Sequence, residues 1–251
     1  LLLTLIRKVT CILKKELCLT SRYRHEYKYL IDSMEESILL IKAQGLLERD
    51  SHIRSDGTYV ISSLYFDDYD NTCYYDNEDG NDLKCKFRIR YYNDDYRYMR
   101  LERKSKRRGM SLKESCSITR EQCNMFMEGK IPDITSDLSE QAKRFFAEMN
   151  VKEMLPKVIV TYERMPFLYP AGNVRVTFDR KISASDDFEN FLSPTRIERP
   201  ILPLGKSIME VKWDEFLPSH INEYLQLDEL QWTSFSKYYL CRKYNTNGGI
   251  K

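Results

Sequence analysis

The sequence predicts an α+β fold of about eight strands, mostly antiparallel, decorated by peripheral helices. Three observations predict it. Five stretches place charged or polar residues on alternate positions: Arg24-x-Glu26-x-Lys28, Arg88-x-Arg90, Arg100-x-Glu102-x-Lys104-x-Lys106, Arg175-x-Thr177-x-Asp179-x-Lys181 and Glu210-x-Lys212. A period of two marks a strand with two unlike faces, because successive side chains point to opposite sides of a sheet. Turn signals at Asn93-Asp94-Asp95 and Arg107-Arg108-Gly109 then fold three successive strands into an antiparallel meander. Finally, there is no βαβ rhythm and neither G-x-x-x-x-G-K-[ST] nor G-x-G-x-x-G, which excludes a P-loop or Rossmann site.

In chain order, residues 22–31 read as a strand. Asp32 with Glu35 forms a capping box for a helix running to about Gln44, with Gly45 as its stop. Residues 48–57 read as a loop and 59–66 as a strand. Asp67, Asp68 and Asp70 lack the D-x-D-x-D-G frame of a calcium loop and read as a turn and helix cap. The meander covers about 84–92, 97–106 and 111–118. Thr119 with Gln122 caps a short helix, and 138–149 forms another. Strands follow at 156–168 and 173–182, with Pro166 and Pro170-Ala171-Gly172 marking the turn between them. Residues 183–205 read as a long loop and 206–214 as the last strand. Helices are expected from Pro218-Ser219 and over 234–244.

The composition is 42% hydrophobic and 31% charged, which suits a folded chain with a sizeable core. Net charge is only +2, so an anion site must come from local sorting of the 40 basic and 38 acidic side chains. No nucleic-acid partner is expected. The seven cysteines form no C-x-x-C pair and are odd in number, which argues against a disulfide framework or zinc cage and for a reducing cytoplasm. Cys85 has the parity of an apolar filler. Three scattered histidines give no metal cluster or triad, and His25 falls on an aromatic strand face. No run reaches the ~20 apolar residues of a membrane-spanning helix. Residues 1–21 read as a leader or extension. Within them 1–19 form an amphipathic helix that packs, or makes a weak contact with a membrane surface or partner.

The charged faces admit two arrangements: a wet outer face of a sheet packed on helices, or the lumen of a barrel, which eight strands suffice to close. In a lumen, unpaired cations cost several kcal/mol each unless hydrated or met by counter-charge. A row of phosphates supplies that counter-charge, Arg binding bidentately and Lys as a point charge. Carboxylates among the cations point to a divalent ion bridging protein and phosphate, with Glu210 and Glu102 as candidates and Glu26 third. A metal and a positive cradle suit phosphoryl transfer. No histidine has the charged parity of any stripe, which favours an already ionised phosphate acceptor over water.

Eight ordered motifs then carry a resemblance. They are Arg24-His25-Glu26-Tyr27-Lys28-Tyr29, Ser63-Leu64-Tyr65-Phe66-Asp67, Phe87-Arg88-Ile89-Arg90-Tyr91-Tyr92 and Leu101-Glu102-Arg103-Lys104-Ser105-Lys106, followed by Val160-Thr161-Tyr162-Glu163-Arg164, Val174-Arg175-Val176-Thr177-Phe178-Asp179, Met209-Glu210-Val211-Lys212 and Phe235-Ser236-Lys237-Tyr238. Together they resemble the VTC domain, the polyphosphate polymerase module of the triphosphate tunnel metalloenzymes, in its stand-alone bacterial form. The match covers about 22–244, leaving 245–251 as a tail.

The resemblance implies an eight-stranded antiparallel tunnel with a charged lumen. It also implies transfer of the ATP γ-phosphate to inorganic polyphosphate, with Mn²⁺ or Mg²⁺ required. Carried over motif by motif, Lys28, Arg88, Arg90, Lys104, Arg164 and Arg175 would line the tunnel and hold phosphates. Tyr162 would add a hydroxyl, Glu210 would bind the metal, and Ser236 with Lys237 would close the site. Arg24, Lys113 and Lys212 are further phosphate candidates. Within these 251 residues there is neither a regulatory SPX domain nor the membrane helices of the eukaryotic complex. The superfamily's E-x-E-x-K pattern is also altered: Arg24 stands where its first Glu would sit, before Glu26 and Lys28. That removes one metal carboxylate and weakens a triphosphatase reading.

Overall fold

The alternating stretches form one curled antiparallel sheet. The computed structural model describes residues 23–50 and 53–247; the amphipathic segment expected over 1–19, with its membrane or partner contact, lies outside them. The strands are β1 (His25–Asp32), β2 (Glu48–Arg49), β3 (Tyr59–Asp67), β4 (Lys84–Tyr92), β5 (Asp95–Arg107), β6 (Met110–Ile118), β7 (Leu155–Tyr169), β8 (Val174–Ser185), β9 (Arg199–Pro200) and β10 (Lys206–Trp213). Eight of them follow the path β1-β10-β8-β7-β3-β4-β5-β6, while β2 pairs with β7 and β9 with β8. The two edges of that path meet: Arg24 and Ser111 exchange both backbone hydrogen bonds at 2.9 Å.

Six α-helices accompany the sheet among the described residues: α1 (Ser33–Leu46), α2 (Thr72–Glu78), α3 (Arg120–Met127), α4 (Glu140–Val151), α5 (Ser219–Leu225) and α6 (Lys237–Asn247). Two apolar clusters fix which sheet face is outside. Leu64, Phe66, Phe87 and Ile89 pack with Phe126 of α3 and with Phe145 and Phe146 of α4. Tyr29, Ile31, Met209, Val211 and Phe178 pack with Leu39 of α1 and Ile221 of α5. The apolar parities are thus covered by helices, and the charged parities turn inward. This decides between the wet face and the lumen.

One helix lies inside the curl. Tyr238 of α6 rests on Tyr65, ring centroids 5.3 Å apart, and donates its hydroxyl to the buried Asp67 at 2.5 Å. Asp67 also accepts the N–H groups of Cys73 (2.9 Å) and Tyr74 (3.1 Å), so it ties the first turn of α2 to the terminal helix. Asp67→Ala leaves a buried phenol and the Cys73 N–H without an acceptor, while the Tyr74 N–H keeps the Asn71 carbonyl. It is expected to cost about 2–3 kcal/mol, read from the urea midpoint at unchanged slope.

Several expectations need correction. The helix runs past Gly45 to Leu46; Gly45 is there because a Cβ would sit 3.3 Å from the Tyr224 hydroxyl of α5. Within the expected loop 48–57, Glu48–Arg49 pairs with β7, and within 183–205 Arg199–Pro200 pairs with β8, which itself continues to Ser185. Pro166 is inside β7 rather than at a turn. It lies where β7 exchanges its neighbour, β3 ending at Arg164 and β2 beginning at Phe167, so its missing N–H breaks no ladder. Lys181 has φ +48 at the β7–β8 register shift, and from there the stripe leaves the lumen: Lys181 pairs with Glu163 and is largely exposed.

Candidate active site

The inward faces enclose a cavity of about 420 Å³. From β4 come Lys84, Lys86, Arg88 and Arg90, four successive inward positions. Facing them across the lumen, Glu26 and Lys28 come from β1 and Glu210 and Lys212 from β10. Lys104 and Lys106 come from β5, and Tyr162 and Arg164 from β7. The remaining wall is the segment before α6. Its Trp232 bridges Tyr29, and the Thr233 N–H donates to the Lys28 carbonyl at 2.9 Å, so the segment extends along the free edge of β1. It brings Ser236 and Lys237 into the cavity.

Four carboxylates punctuate the cations. Glu26 holds Lys104 at 2.7 Å and Lys28 at 2.9 Å, and accepts from Ser111 Oγ at 3.1 Å. Glu102 receives Arg88 at 2.7 Å and Lys113 at 3.2 Å, with Arg90 at 3.9 Å. Asp179 takes a bidentate pair from Arg164, at 2.6 and 2.7 Å, and Lys237 at 2.5 Å. Glu210 is paired with Lys212, with Arg164 at 3.7 Å and Lys28 at 3.8 Å. Between these pairs, Arg90 donates to Ser63 Oγ and to the Tyr162 hydroxyl, both at 3.1 Å, and Arg88 donates to the Tyr65 hydroxyl at 2.7 Å.

Burial opposes ionisation of all four carboxyls, but the surrounding cations outweigh it. Glu26 is held well below the carboxylate range by Lys104, Lys28 and Lys212; Glu102 is held low by Arg88 and Arg90, Glu210 by Lys212 and Lys28, and Asp179 by Arg164 and Lys237. Four lysines of the lining are pushed toward the neutral form. Burial lowers Lys84 and Lys212 in this direction, and two others further. Burial lowers Lys104 to about 8, with Glu26 opposing and Lys28 and Lys212 reinforcing it. Burial lowers Lys86 to about 7, reinforced by Lys28, Lys104 and Lys84.

Of the residues singled out from the sequence, Glu26, Lys28, Arg88, Arg90, Lys104, Tyr162, Arg164, Glu210, Lys212, Ser236 and Lys237 line this cavity. Glu102 stands directly behind Arg88 and is fully engaged by cations. Three others lie outside the lining. Arg24 pairs with Asp214 at 2.7 Å and Arg175 with Asp50 at 3.0 Å, while Lys113 is half exposed. Sequence reading passed over Lys84, Lys86, Lys106, Tyr65 and Asp179 as site residues. The same period of two that marks Arg88 and Arg90 continues to Lys86 and Lys84, so that signal was present.

Among the described residues no cluster of three or more His, Cys, Asp or Glu forms a ready-made metal cage. The oxygens around Glu210 nonetheless suit a hard cation. One Glu210 oxygen lies 3.8 Å from Lys28, and the buried Thr177 hydroxyl directly opposite on β8 has no hydrogen-bond partner among the described residues. Glu26 lies beyond Lys28 on the same wall. One or two carboxylates, completed by water and phosphate oxygens, are the usual protein share of a Mg²⁺ site. Glu102 and Glu26 fit less well, because cations within 3.2 Å take both oxygens of each: Arg88 and Lys113 on Glu102, Lys104 and Lys28 on Glu26.

The fold is shared with known proteins. A sequence model of the family described as the VTC domain matches residues 23–245. A Bacillus halodurans protein provisionally described as an adenylate cyclase superposes with a TM-score of 0.51 at 13% identity, over 86% of this chain and 94% of that one. A Hippeastrum protein, provisionally an adenylyl cyclase and described as having a dominant triphosphatase activity, superposes with a TM-score of 0.50 at 14% identity, over 88% and 95%. At these identities the likeness is one of fold. No curated protein matches the chain at a significant level. No helix among the described residues is long and apolar enough to cross a membrane.

Proposed function

We propose that this chain, which belongs to the VTC domain family, extends inorganic polyphosphate with the γ-phosphate of ATP, releasing ADP, and that residues 23–245 are the catalytic unit. The observation that carries the reading is the charge inventory of the cavity. Cations project from β1, β4, β5, β7, β10 and α6, the buried Glu26 and Glu210 among them are ionised and already cation-bound, and no histidine is in the lining. A linear polyanion is the complementary occupant.

In this reading Arg88, Arg90 and Lys104 hold the acceptor chain and orient its terminal oxygen, an ionised nucleophile that needs no general base. That oxygen forms the new bond to Pγ as the bond from Pγ to the ADP oxygen breaks. Arg164, Lys28 and Lys237 neutralise charge on the equatorial oxygens. Glu210 would hold Mg²⁺ or Mn²⁺, which when bound would supply charge neutralisation on the transferring phosphates. The covering segment 232–236 limits entry of water as a competing acceptor.

Purified protein incubated with ATP and Mn²⁺ or Mg²⁺ is expected to yield ADP and polymer resolved on a gel. ADP with free phosphate and no polymer would establish the rival reading, a triphosphatase, the activity named for the Hippeastrum fold neighbour. Polyphosphate binding without turnover under either metal would make the chain a polyanion-binding module. Arg90→Ala removes a buried guanidinium from the centre of the cradle. It is expected to lower turnover on the order of 100-fold and to weaken polyphosphate binding as well.

A further inference from the structure

Lys86 differs from most of the cations that line the cavity, sharing only with Lys84 and Lys106 the lack of an ion pair among the described residues. Lys28, Arg88, Lys104, Arg164, Lys212 and Lys237 each have a carboxylate within ion-pair distance, whereas Lys86 has none among the described residues. Its ammonium instead donates to Ser236 Oγ at 3.1 Å and lies 4.9 Å from the centroid of the Tyr238 ring. Ser236 is the residue before α6. Its hydroxyl accepts the Tyr239 N–H at 3.3 Å, and its carbonyl accepts the Leu240 N–H, so Lys86 stands against the positive end of an eleven-residue helix.

The groups facing it from the other elements are no better partners. They are Lys28 from β1, Lys104 from β5, Lys84 on its own strand and the un-ionised Cys73 thiol from α2. The nearby carboxylate Asp67 is occupied by Tyr238 and the α2 N–H groups. A cation is poorly accommodated here, but an anion would meet a lysine, a hydroxyl, a helix N-terminus and two further lysines together.

We propose that Lys86, beside Ser236 at the start of the terminal helix, is a phosphate receptor of the tunnel that stays unpaired in the free protein and takes up a proton as the phosphate chain arrives. The proposal rests on a phosphate chain being the occupant. Titration of Lys86 to about 7 in the free cavity is consistent with it, because a phosphate oxygen alongside restores the ordinary preference for the ammonium form.

The test is calorimetric titration of tripolyphosphate into the whole protein at pH 8, in buffers of different ionisation enthalpy, for wild type, Lys86→Arg and Lys86→Met. Arginine remains charged, so Lys86→Arg is expected to take up on the order of half a proton less than wild type and to bind at least as tightly at pH 8. Lys86→Met is expected to lose roughly tenfold in affinity at pH 6.5, where the wild-type lysine is largely charged. Equal proton uptake by wild type and Lys86→Arg, or unchanged binding by Lys86→Met, overturns the proposal while the phosphate tunnel stands. No binding of tripolyphosphate by wild type overturns both.

Melting curves separate lost binding from lost fold. The folded-state value of Lys86 is depressed, so its charge burdens the fold fully below about pH 7, and less as the pH rises toward the unfolded value of ~10.4. Lys86→Met is therefore expected to melt higher than wild type, with the largest gap below pH 7.

Discussion

Asp179→Ala is expected to destabilise the protein by about 3–5 kcal/mol, the cost of removing one partner from a buried ion-pair network. Asp179 is fully buried and takes the bidentate Arg164 pair from the facing strand and the Lys237 ammonium from the terminal helix. Without it, Arg164 retains the Glu210 contact at 3.7 Å and the Tyr162 ring, and Lys237 loses its ion-pair partner. Asp179 links the terminal helix to β7 through its ion pairs, so the loss reaches the cavity as well. Two readouts distinguish this from simple cavity formation. Tripolyphosphate should raise the melting temperature of the variant more than that of wild type, because phosphate oxygens supply the missing counter-charge. The gap between variant and wild type should also narrow in acid. The Asp179 carboxyl is depressed in the folded state, so its contribution is full above the unfolded value of ~3.9 and is lost as the pH falls through the folded one. A variant that unfolds at the wild-type urea midpoint at pH 7 would show that Arg164 and Lys237 find other partners.

Parity marks the charged strand faces, each opposing a run such as Phe87-Ile89-Tyr91 or Met209-Val211-Trp213, but leaves open whether they meet water or a lumen. The eight ordered motifs point to the lumen, and the helices packed on the apolar faces decide it. Parity says which face a side chain shares but not how far along the tunnel it sits or what it meets there. Arg175 is opposite Lys212 on the inward face, yet its guanidinium is taken by Asp50, from a stretch whose sequence shows no strand period. Arg24 is similarly taken by Asp214. The partner of Arg164 is a register property: Asp179 faces it only because β7 and β8 pair in that alignment. Nor does the pattern reveal the shift that turns Lys181 outward, since a non-glycine residue with positive φ leaves no mark in the alternation. Lys86 was missed for a different reason. Its stripe was visible, but only the packing of α6 shows that this lysine lacks a carboxylate.

Glu210→Gln is expected to abolish turnover, by more than about 100-fold, while tripolyphosphate binds as tightly as in wild type or more so. The two effects have opposite causes at one side chain. As a carboxylate, Glu210 neutralises Lys212, Arg164 and Lys28, cations that the substrate must also use. Gln is nearly isosteric but uncharged, so the free cavity becomes more positive and a polyanion meets less competition. At the same time the change removes a buried carboxylate with an oxygen 3.8 Å from Lys28, opposite the Thr177 hydroxyl, which has no hydrogen-bond partner among the described residues. Glu102 cannot substitute for it, because Arg88 and Lys113 hold both of its oxygens. Direct titration with Mn²⁺ in the presence of tripolyphosphate gives a readout apart from activity: the variant should lose the metal-dependent component and keep the anion component. Normal turnover with normal metal binding would remove Glu210 from the metal site. Lost turnover together with lost anion binding would mean instead that Glu210 orders the lysines on which the phosphate chain depends.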